Sequence, residues 1–382
     1  MTSQERHEAR YQRRKKLREE KRKQKSEACG TCEEVFSYEN LYAAGRKCIR
    51  GVLWKASTQN YTRKRISNTY KIYEKVQNEK FKFSKPFVFY INERGKTRKI
   101  QAQKIEERIV QRALCDKVIV PLYDKTFIYD NAANRIGKGI EHTLNRINCH
   151  MQRHFRKYGL EGYIVCCDFR DFFNSAPHKV IYKENEKRIY DKNIRKIANE
   201  CMEVYGEEGF GLGAHTSQIY TNITVSPLDH YMKDVLRVKE YGRYVDDIYF
   251  FTRTKEEAHE ILGKLRKKVA ELGLELNEKK TKIQKFSTGF KFLKTKFFCT
   301  ETGKVIRKVN KKSVSRMKKK LLKFKTWIDE GKFTKEQAIN AYYSWRGYVS
   351  HCNSYGIIKK MDKFMEETFG EKSRYKCRKL LN

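Results

Sequence analysis

Apolar residues along this chain change period several times, and each change marks an element. Phe87-Val-Phe-Tyr-Ile91 is a short aromatic and β-branched run, the composition of a strand. Asn92-Glu-Arg-Gly95 supplies turn residues and Lys96-Thr-Arg-Lys-Ile100 returns, so a hairpin is predicted. Over residues 104–120 the period becomes helical, with Ile105, Ile109, Ala113 and Val118 roughly on one face. Gly162-Tyr-Ile-Val-Cys-Cys-Asp-Phe169 is an apolar run of strand length that reaches an acid. Tyr241 to Val245 and Ile248 to Phe251 read as the strands of a second hairpin, with Asp246 and Asp247 at its turn. Thr254-Lys-Glu-Glu257 is a capping-box pattern. It opens a helix with Ile261, Leu265 and Val269 on one side, closed by Gly273. Val314, Met317, Leu321, Phe324 and Ile328 form a further apolar helical stripe. From residue 162 the order is strand, helices, strand, turn, strand, helix, strand, which suits an α+β sheet with helices on one face.

The first 25 residues stand outside this pattern. They hold 11 Lys or Arg and four Glu with almost no apolar residue, so a helix there has no face to bury. The segment 1–35 reads as a basic arm that orders on nucleic acid, or as a tail without a role. The charge extends to the whole chain: 85 Lys and Arg against 46 Asp and Glu leave +39 over 382 residues. A surplus of that size needs a polyanion to offset self-repulsion, and nucleic acid is the first candidate. The 24 Tyr and 22 Phe interleave with these cations and suit base stacking as well as core packing. Of 11 Cys only Cys29 and Cys32 have ligand spacing, and no second such pair exists, which favours free thiols over a zinc site. No apolar run reaches membrane-spanning length and no signal-peptide core is visible, so a cytoplasmic protein with no membrane partner is expected.

Against that basic background the acids are informative. Asp168 ends a buried strand, and Asp246 and Asp247 sit side by side between strands. Adjacent buried acids repel one another and lose hydration. Asp-Asp alone would be read as a surface turn. A strand-end acid and a hairpin acid on neighbouring strands, however, make a site for hard cations with oxygen ligands. Two such ions about 3.5–4 Å apart clamp the attacking and leaving oxygens of a phosphoryl transfer.

Several ordered motifs now resemble reverse transcriptases. Tyr244-Val-Asp-Asp247 is similar to the family's YxDD motif, and Asp168 in CCDFRDFF to its first catalytic-acid motif. KTRKI with Arg98, ERIVQRAL (107–114), GLGAHTSQ (211–218), LGLELNEKKTKI (272–283) and GFKFLKTKF (289–297) follow in the family's order. The resemblance covers roughly residues 36–350. It implies a right-hand polymerase: fingers over 36–160, palm over 161–300 with a helical insertion near 178–208, and a helical thumb over 301–382. It also implies an RNA-directed DNA polymerase using two Mg²⁺, with Mn²⁺ as an alternative. Asp168, Asp246, Asp247 and the Phe169 carbonyl would hold the metal, and the three acids would be catalytic. Arg98 would contact the triphosphate and Lys280 the leaving pyrophosphate. Phe173 would lie under the sugar and exclude a 2′-hydroxyl, so the substrates are dNTPs. Leu212, Gly213, Ser217 and Gln218 would line the nascent pair. Lys318, Lys319 and Lys323, with Lys320 and Lys325 around the stripe, would grip template RNA and the primer or cDNA through phosphates.

Leu212-Gly-Ala-His-Thr-Ser-Gln218 also resembles the pattern of diversity-generating retroelement enzymes. That subtype implies copying with frequent errors opposite adenine, a pentameric accessory variability protein and a structured RNA. Two features depart from it. Phe292-Leu-Lys294 stands where FLG is usual, and the basic arm is not shared. They leave a phage-defence reverse transcriptase with its own noncoding RNA as the alternative. A catalytically silent RNA-binding scaffold is the third reading, opposed by the intact acid set.

Overall fold

The computed structural model describes residues 2–93 and 95–370. Arg94, in the turn of the first hairpin, and 371–382, the end of the expected thumb, lie outside the described residues.

Along the chain, the basic arm is a helix, α1 (Ser3–Glu27), started by a reciprocal cap between Thr2 and Glu5. Its polar faces stay exposed, but its last turn is fixed: Ser26 is buried and its Oγ accepts from the Tyr190 backbone N–H at 2.9 Å. Three capped or close-packed helices follow α2 (Cys32–Val35): α3 (Tyr38–Ile49), α4 (Ala56–Arg63) and α5 (Arg65–Gln77). Strands β1 (Phe87–Glu93) and β2 (Lys96–Ala102) form the first hairpin, each two residues longer than the sequence suggested. Helix α6 (Ile105–Leu114) runs into a π-turn over Cys115–Ile119 before α7 (Val120–Tyr123). The π-turn adds one residue, which is why Val118 joins the buried face five positions after Ala113.

Next come α8 (Ile140–Tyr158), β3 (Tyr163–Asp168), α9 (Phe172–Ser175), α10 (Lys179–Arg188), α11 (Lys192–Glu203) and α12 (His215–His230). The second hairpin is β4 (Tyr241–Tyr244) and β5 (Asp247–Thr252), followed by α13 (Lys255–Glu271). The α13 cap forms as read, with Thr254 Oγ1 accepting from the Glu257 N–H at 3.1 Å. Its buried stripe is Ala258, Leu262, Leu265 and Val269, with Ile261 at the edge rather than the centre. The remainder is β6 (Lys282–Lys285), β7 (Phe290–Phe292), β8 (Thr295–Cys299), β9 (Val305–Val309), α14 (Lys311–Asp329), α15 (Lys335–Ser350) and α16 (Tyr355–Phe369). The chain is α+β, as expected. Among the described residues no helix is long and apolar enough to cross a membrane.

The chain forms two compact units. The first comprises residues 1–137, 169–237 and 264–277, and carries the β1–β2 hairpin with its helices. The second comprises 138–168, 238–263 and 278–382. Its four-stranded antiparallel sheet has the order β4-β5-β3-β6, and a separate three-stranded sheet has the order β7-β8-β9. Leu144, Ile147 and Met151 of α8 pack with Ile164, Tyr249, Phe251, Phe290 and Phe297 in one core. Val165, Cys167, Ile248 and Phe250, alternating with that face, are buried as well. Burial on both faces explains why β3 reads as a continuous apolar run rather than an alternating one. In α14, Met317, Leu321 and Phe324 pack against Ala338, Tyr342, Met361 and Met365 of α15 and α16. Tyr342 and Arg346 both donate to the Asp362 carboxylate, so these two buried residues of YYSWRGY anchor α15 to α16.

The β7–β8 loop is Leu293–Lys294, with φ of 45° and 66°. Two positive φ values define a type I′ turn, for which Asn-Gly is the usual pair. Lys at the second position carries a left-handed cost of roughly 1–2 kcal/mol. Lys294→Gly should therefore stabilise the fold by about 1 kcal/mol in urea denaturation; an unchanged or lowered midpoint would refute the turn assignment.

Candidate active site

The acids converge through strand pairing in the second unit. β3 and β5 are antiparallel neighbours, and their register sets Asp168 opposite Asp247. Tyr244 pairs with Asp247, leaving a two-residue loop of Val245 and Asp246. This corrects the expected hairpin: the turn is Val245–Asp246 rather than Asp246–Asp247, Asp247 belongs to a strand, and Val245 has a φ of 55°. A β-branched residue in that conformation is strained, and such strain persists only where the surroundings hold it. One holder is Arg243, fully buried in β4, whose Nη1 donates to the Val245 carbonyl at 2.8 Å. The sequence signal for Arg243 was a lone cation inside an apolar strand; it was missed because Arg on this chain is so common. Gly242 serves the same hairpin. A Cβ there would meet the Tyr249 ring at 2.7 Å, so only Gly lets Tyr249 lie across β4.

Asp168 is buried, and Asp246 and Asp247 are half-buried. Lys280, which precedes β6, donates to Asp168 Oδ2 across 112 residues of sequence. Burial, then the charges of Asp246 and Asp168, push the Asp247 carboxyl up to about 7 despite Lys280. A carboxyl raised on folding stabilises the fold below its unfolded pKa and loses that contribution as the pH climbs through about 7. Burial lowers Lys280, but the hydrogen bond to Asp168 and the three carboxylates outweigh it and raise its pKa. Lys280 therefore stays charged at neutral pH.

A cavity of about 570 Å³ opens beside Asp168 and Asp247, lined by Lys280, Lys282, Lys294 and Lys296 among others. Hard carboxylate donors whose repulsion is already built in fit a divalent cation. Among the described residues no three His, Cys, Asp or Glu side chains are already arranged around a metal position, and Lys280 engages Asp168 instead.

The remaining nominated residues separate by unit. In the first, Phe173 of α9 is half-buried and its carbonyl accepts from the Phe210 N–H at 2.6 Å. Phe172 beside it is core, stacked on Phe169 at 5.1 Å. The loop Gly211–Ala214 leads into α12, with Leu212 half-buried, Gly213 and Gln218 exposed and Ser217 buried. Gly213 has φ of 113°, and a Cβ there would lie 3.9 Å from Ile100 of β2, the strand that carries exposed Arg98. Phe173, the 211–218 segment and β2 are thus brought together. In the second unit Lys318, Lys319 and Lys323 are exposed on α14. Lys318 and Lys323 also lie over the Phe364 and Trp327 rings at 5.1 and 4.7 Å, so part of their role is to cover aromatics.

Comparison with known proteins matches residues 80–297, more than half of the chain, to the family described as reverse transcriptase (RNA-dependent DNA polymerase). No curated protein matches. Among solved structures the chain is similar to a telomerase from Candida albicans in complex with a TWJ fragment of telomeric RNA. It is 13% identical with a TM-score of 0.47, over 77% of this chain and 62% of that one. An apo telomerase from Candida tropicalis, truncated from its C-terminal domain, is 14% identical with a TM-score of 0.45, over 58% and 55%. This chain spans less than two thirds of either telomerase chain.

Proposed function

We infer that this chain, which belongs to the reverse transcriptase (RNA-dependent DNA polymerase) family, copies an RNA template into cDNA at Asp168, Asp246 and Asp247. The family makes the chain a nucleotidyltransferase of the right-hand polymerase class. The observation that carries the site assignment is the pairing of Asp168 with Asp247 across β3 and β5, with Asp246 adjacent in the loop. Asp168 and Asp246 are the principal metal ligands, with the Phe169 carbonyl and Asp247 in support. Two bound Mg²⁺, or Mn²⁺, would activate the primer 3′-oxygen and neutralise charge on the leaving pyrophosphate. Lys280 holds its proton beside the acids and answers the pyrophosphate. Arg98 offers a planar fork to triphosphate oxygens. Lys318, Lys319 and Lys323 hold the template–primer backbone without regard to sequence. The test is extension of a DNA primer on an RNA template with dNTPs and Mg²⁺. A purified chain that extends nothing, or extends only on DNA, ends this reading.

The finer reading is mutagenic copying within a diversity-generating retroelement, aided by a pentameric accessory protein and a structured RNA. It rests on Leu212. A Gln there would hydrogen-bond around the nascent pair, whereas Leu offers only apolar contact, and apolar contact discriminates weakly. Leu212→Gln should lower misincorporation opposite template adenine by about tenfold. An unchanged error spectrum on an RNA template removes the argument. The turn Phe292-Leu-Lys294 departs from the usual FLG and leaves room for the alternative, a phage-defence enzyme copying a dedicated noncoding RNA. The neighbouring DNA separates the two: near-repeats differing at adenines mark the retroelement, and their absence favours defence.

A further inference from the structure

The segment before the family match carries a site of its own. Helices α2 to α5 enclose an open groove of about 1190 Å³, larger than a pocket for one small molecule. On one wall Tyr38 stacks on Tyr42, with centroids 6.0 Å apart at 27°, and the Arg65 guanidinium lies 4.6 Å over Tyr42. Arg65 Nη2 also donates to the Tyr42 hydroxyl, which fixes that ring. On the other wall Tyr70 and Tyr73 are 6.0 Å apart.

These tyrosines are not core residues. Helix α5 buries Thr69, Ile72 and Val76, while Tyr70 is 55% exposed and Ile66, one turn before it, 70% exposed. The groove's rim carries Arg63, Lys64 and Arg65 at the α4–α5 corner. Glu33 and Glu39 line it too, but both sit in first turns, where they answer the helix dipoles of α2 and α3. The walls are held rigidly. Gly45 of α3 lies so close to the Tyr61 hydroxyl that a Cβ there would collide with it, and that hydroxyl bonds Thr69 at 2.7 Å.

Aromatic rings lining an open groove, one of them exposed and the others partly so, bordered by guanidinium and ammonium groups, are the chemistry that takes unpaired bases and their phosphates. We propose that this groove binds a single-stranded RNA segment, stacking unpaired bases on Tyr38 and Tyr70 and pairing the phosphates with Arg63 and Lys64. Duplex fits poorly, because its bases present no free ring face. The choice of RNA over single-stranded DNA rests on the copying of RNA inferred above; the groove's hydroxyls, Ser67 and Tyr73 among them, suit a 2′-hydroxyl partner. The groove thus holds an unpaired part of the RNA that the enzyme carries, apart from the stretch being copied.

The test uses the full chain. Single-stranded RNA bearing 4-thiouridine should crosslink to peptides within residues 38–73. The double variant Tyr38→Leu/Tyr70→Leu should lose those crosslinks and bind the RNA about tenfold more weakly or worse. Tyr38→Phe/Tyr70→Phe, which keeps both rings, should bind as wild type, and duplex RNA should not compete for the crosslink. Extension of a short primed RNA should persist in the Leu variant, since it needs no grip on the groove. Crosslinks elsewhere only, unweakened binding by the Leu variant, or equal competition by duplex overturns the proposal. Preferred crosslinking of single-stranded DNA overturns the RNA assignment. Absent DNA synthesis with the crosslinks intact overturns the polymerase reading and leaves the groove standing.

Discussion

Asp246→Asn should cut single-nucleotide incorporation by about 10³-fold or more while RNA binding is retained. The magnitude follows from losing one charged ligand, several kcal/mol of transition-state stabilisation at roughly 1.4 kcal/mol per tenfold. Asn keeps the shape of the loop and one oxygen, and the strained Val245 turn is held from β4 by Arg243 rather than by the Asp246 side chain alone. The fold should therefore survive. Asp247→Asn should cost less, about 10–100-fold, as a residue that supports the ligands. It should also remove the repulsion that raises Asp247 towards 7. Incorporation by Asp246→Asn within tenfold of wild type would remove Asp246 from the mechanism, whereas a wild type that binds RNA and incorporates nothing would favour the scaffold reading.

Phe173→Val should open the enzyme to ribonucleotides. If the Phe173 ring lies under the sugar, shortening it makes room for a 2′-hydroxyl at little cost to dNTP use. A few methylenes of steric contact correspond to about 100-fold in the ratio of kcat/KM for dNTP over rNTP. The fold should tolerate the change, because the neighbouring core position is taken by Phe172, which is buried where Phe173 is only half-buried. A ratio equal to that of wild type would assign Phe173 to packing alone.

The parts of the site visible in the sequence are those where local rules conflict. An apolar strand running into Asp168, and two acids between strands of a basic chain, are each improbable without a cation. The conflict could be seen without coordinates. The turn itself could not be placed: it falls one residue earlier than expected, on Val245 and Asp246, because Tyr244 pairs with Asp247, and Val245 takes the left-handed position. Helix α6 shows the same limit. Val118 fell on the buried face only because a π-turn adds a residue, and no 3.6-residue period contains that step. Long-range pairings were invisible for another reason. Lys280 meets Asp168 from 112 residues away, and one Lys among so many carries no mark of that role. Tyrosines are equally ambiguous; Tyr342 is a buried anchor and Tyr70 an exposed ring, and only burial distinguishes them. The arm was legible as basic, but its sequence suggests ordering on nucleic acid or a tail; it is the helix α1, and its fixed end depends on Ser26 bonding Tyr190, which no local pattern announces.

The central claim is that paired carboxylates on β3 and the β4–β5 hairpin carry metal-dependent DNA synthesis on RNA. Its most direct test is single-turnover incorporation of one dNMP on an RNA template across a titration of free Mg²⁺, in wild type and Asp168→Asn. The account predicts no product in chelator, a wild-type rate that climbs steeply with Mg²⁺ as two ions bind, and an Asp168→Asn rate that stays near zero throughout. Product formed without a divalent ion, or equal rates for the two proteins, would contradict it.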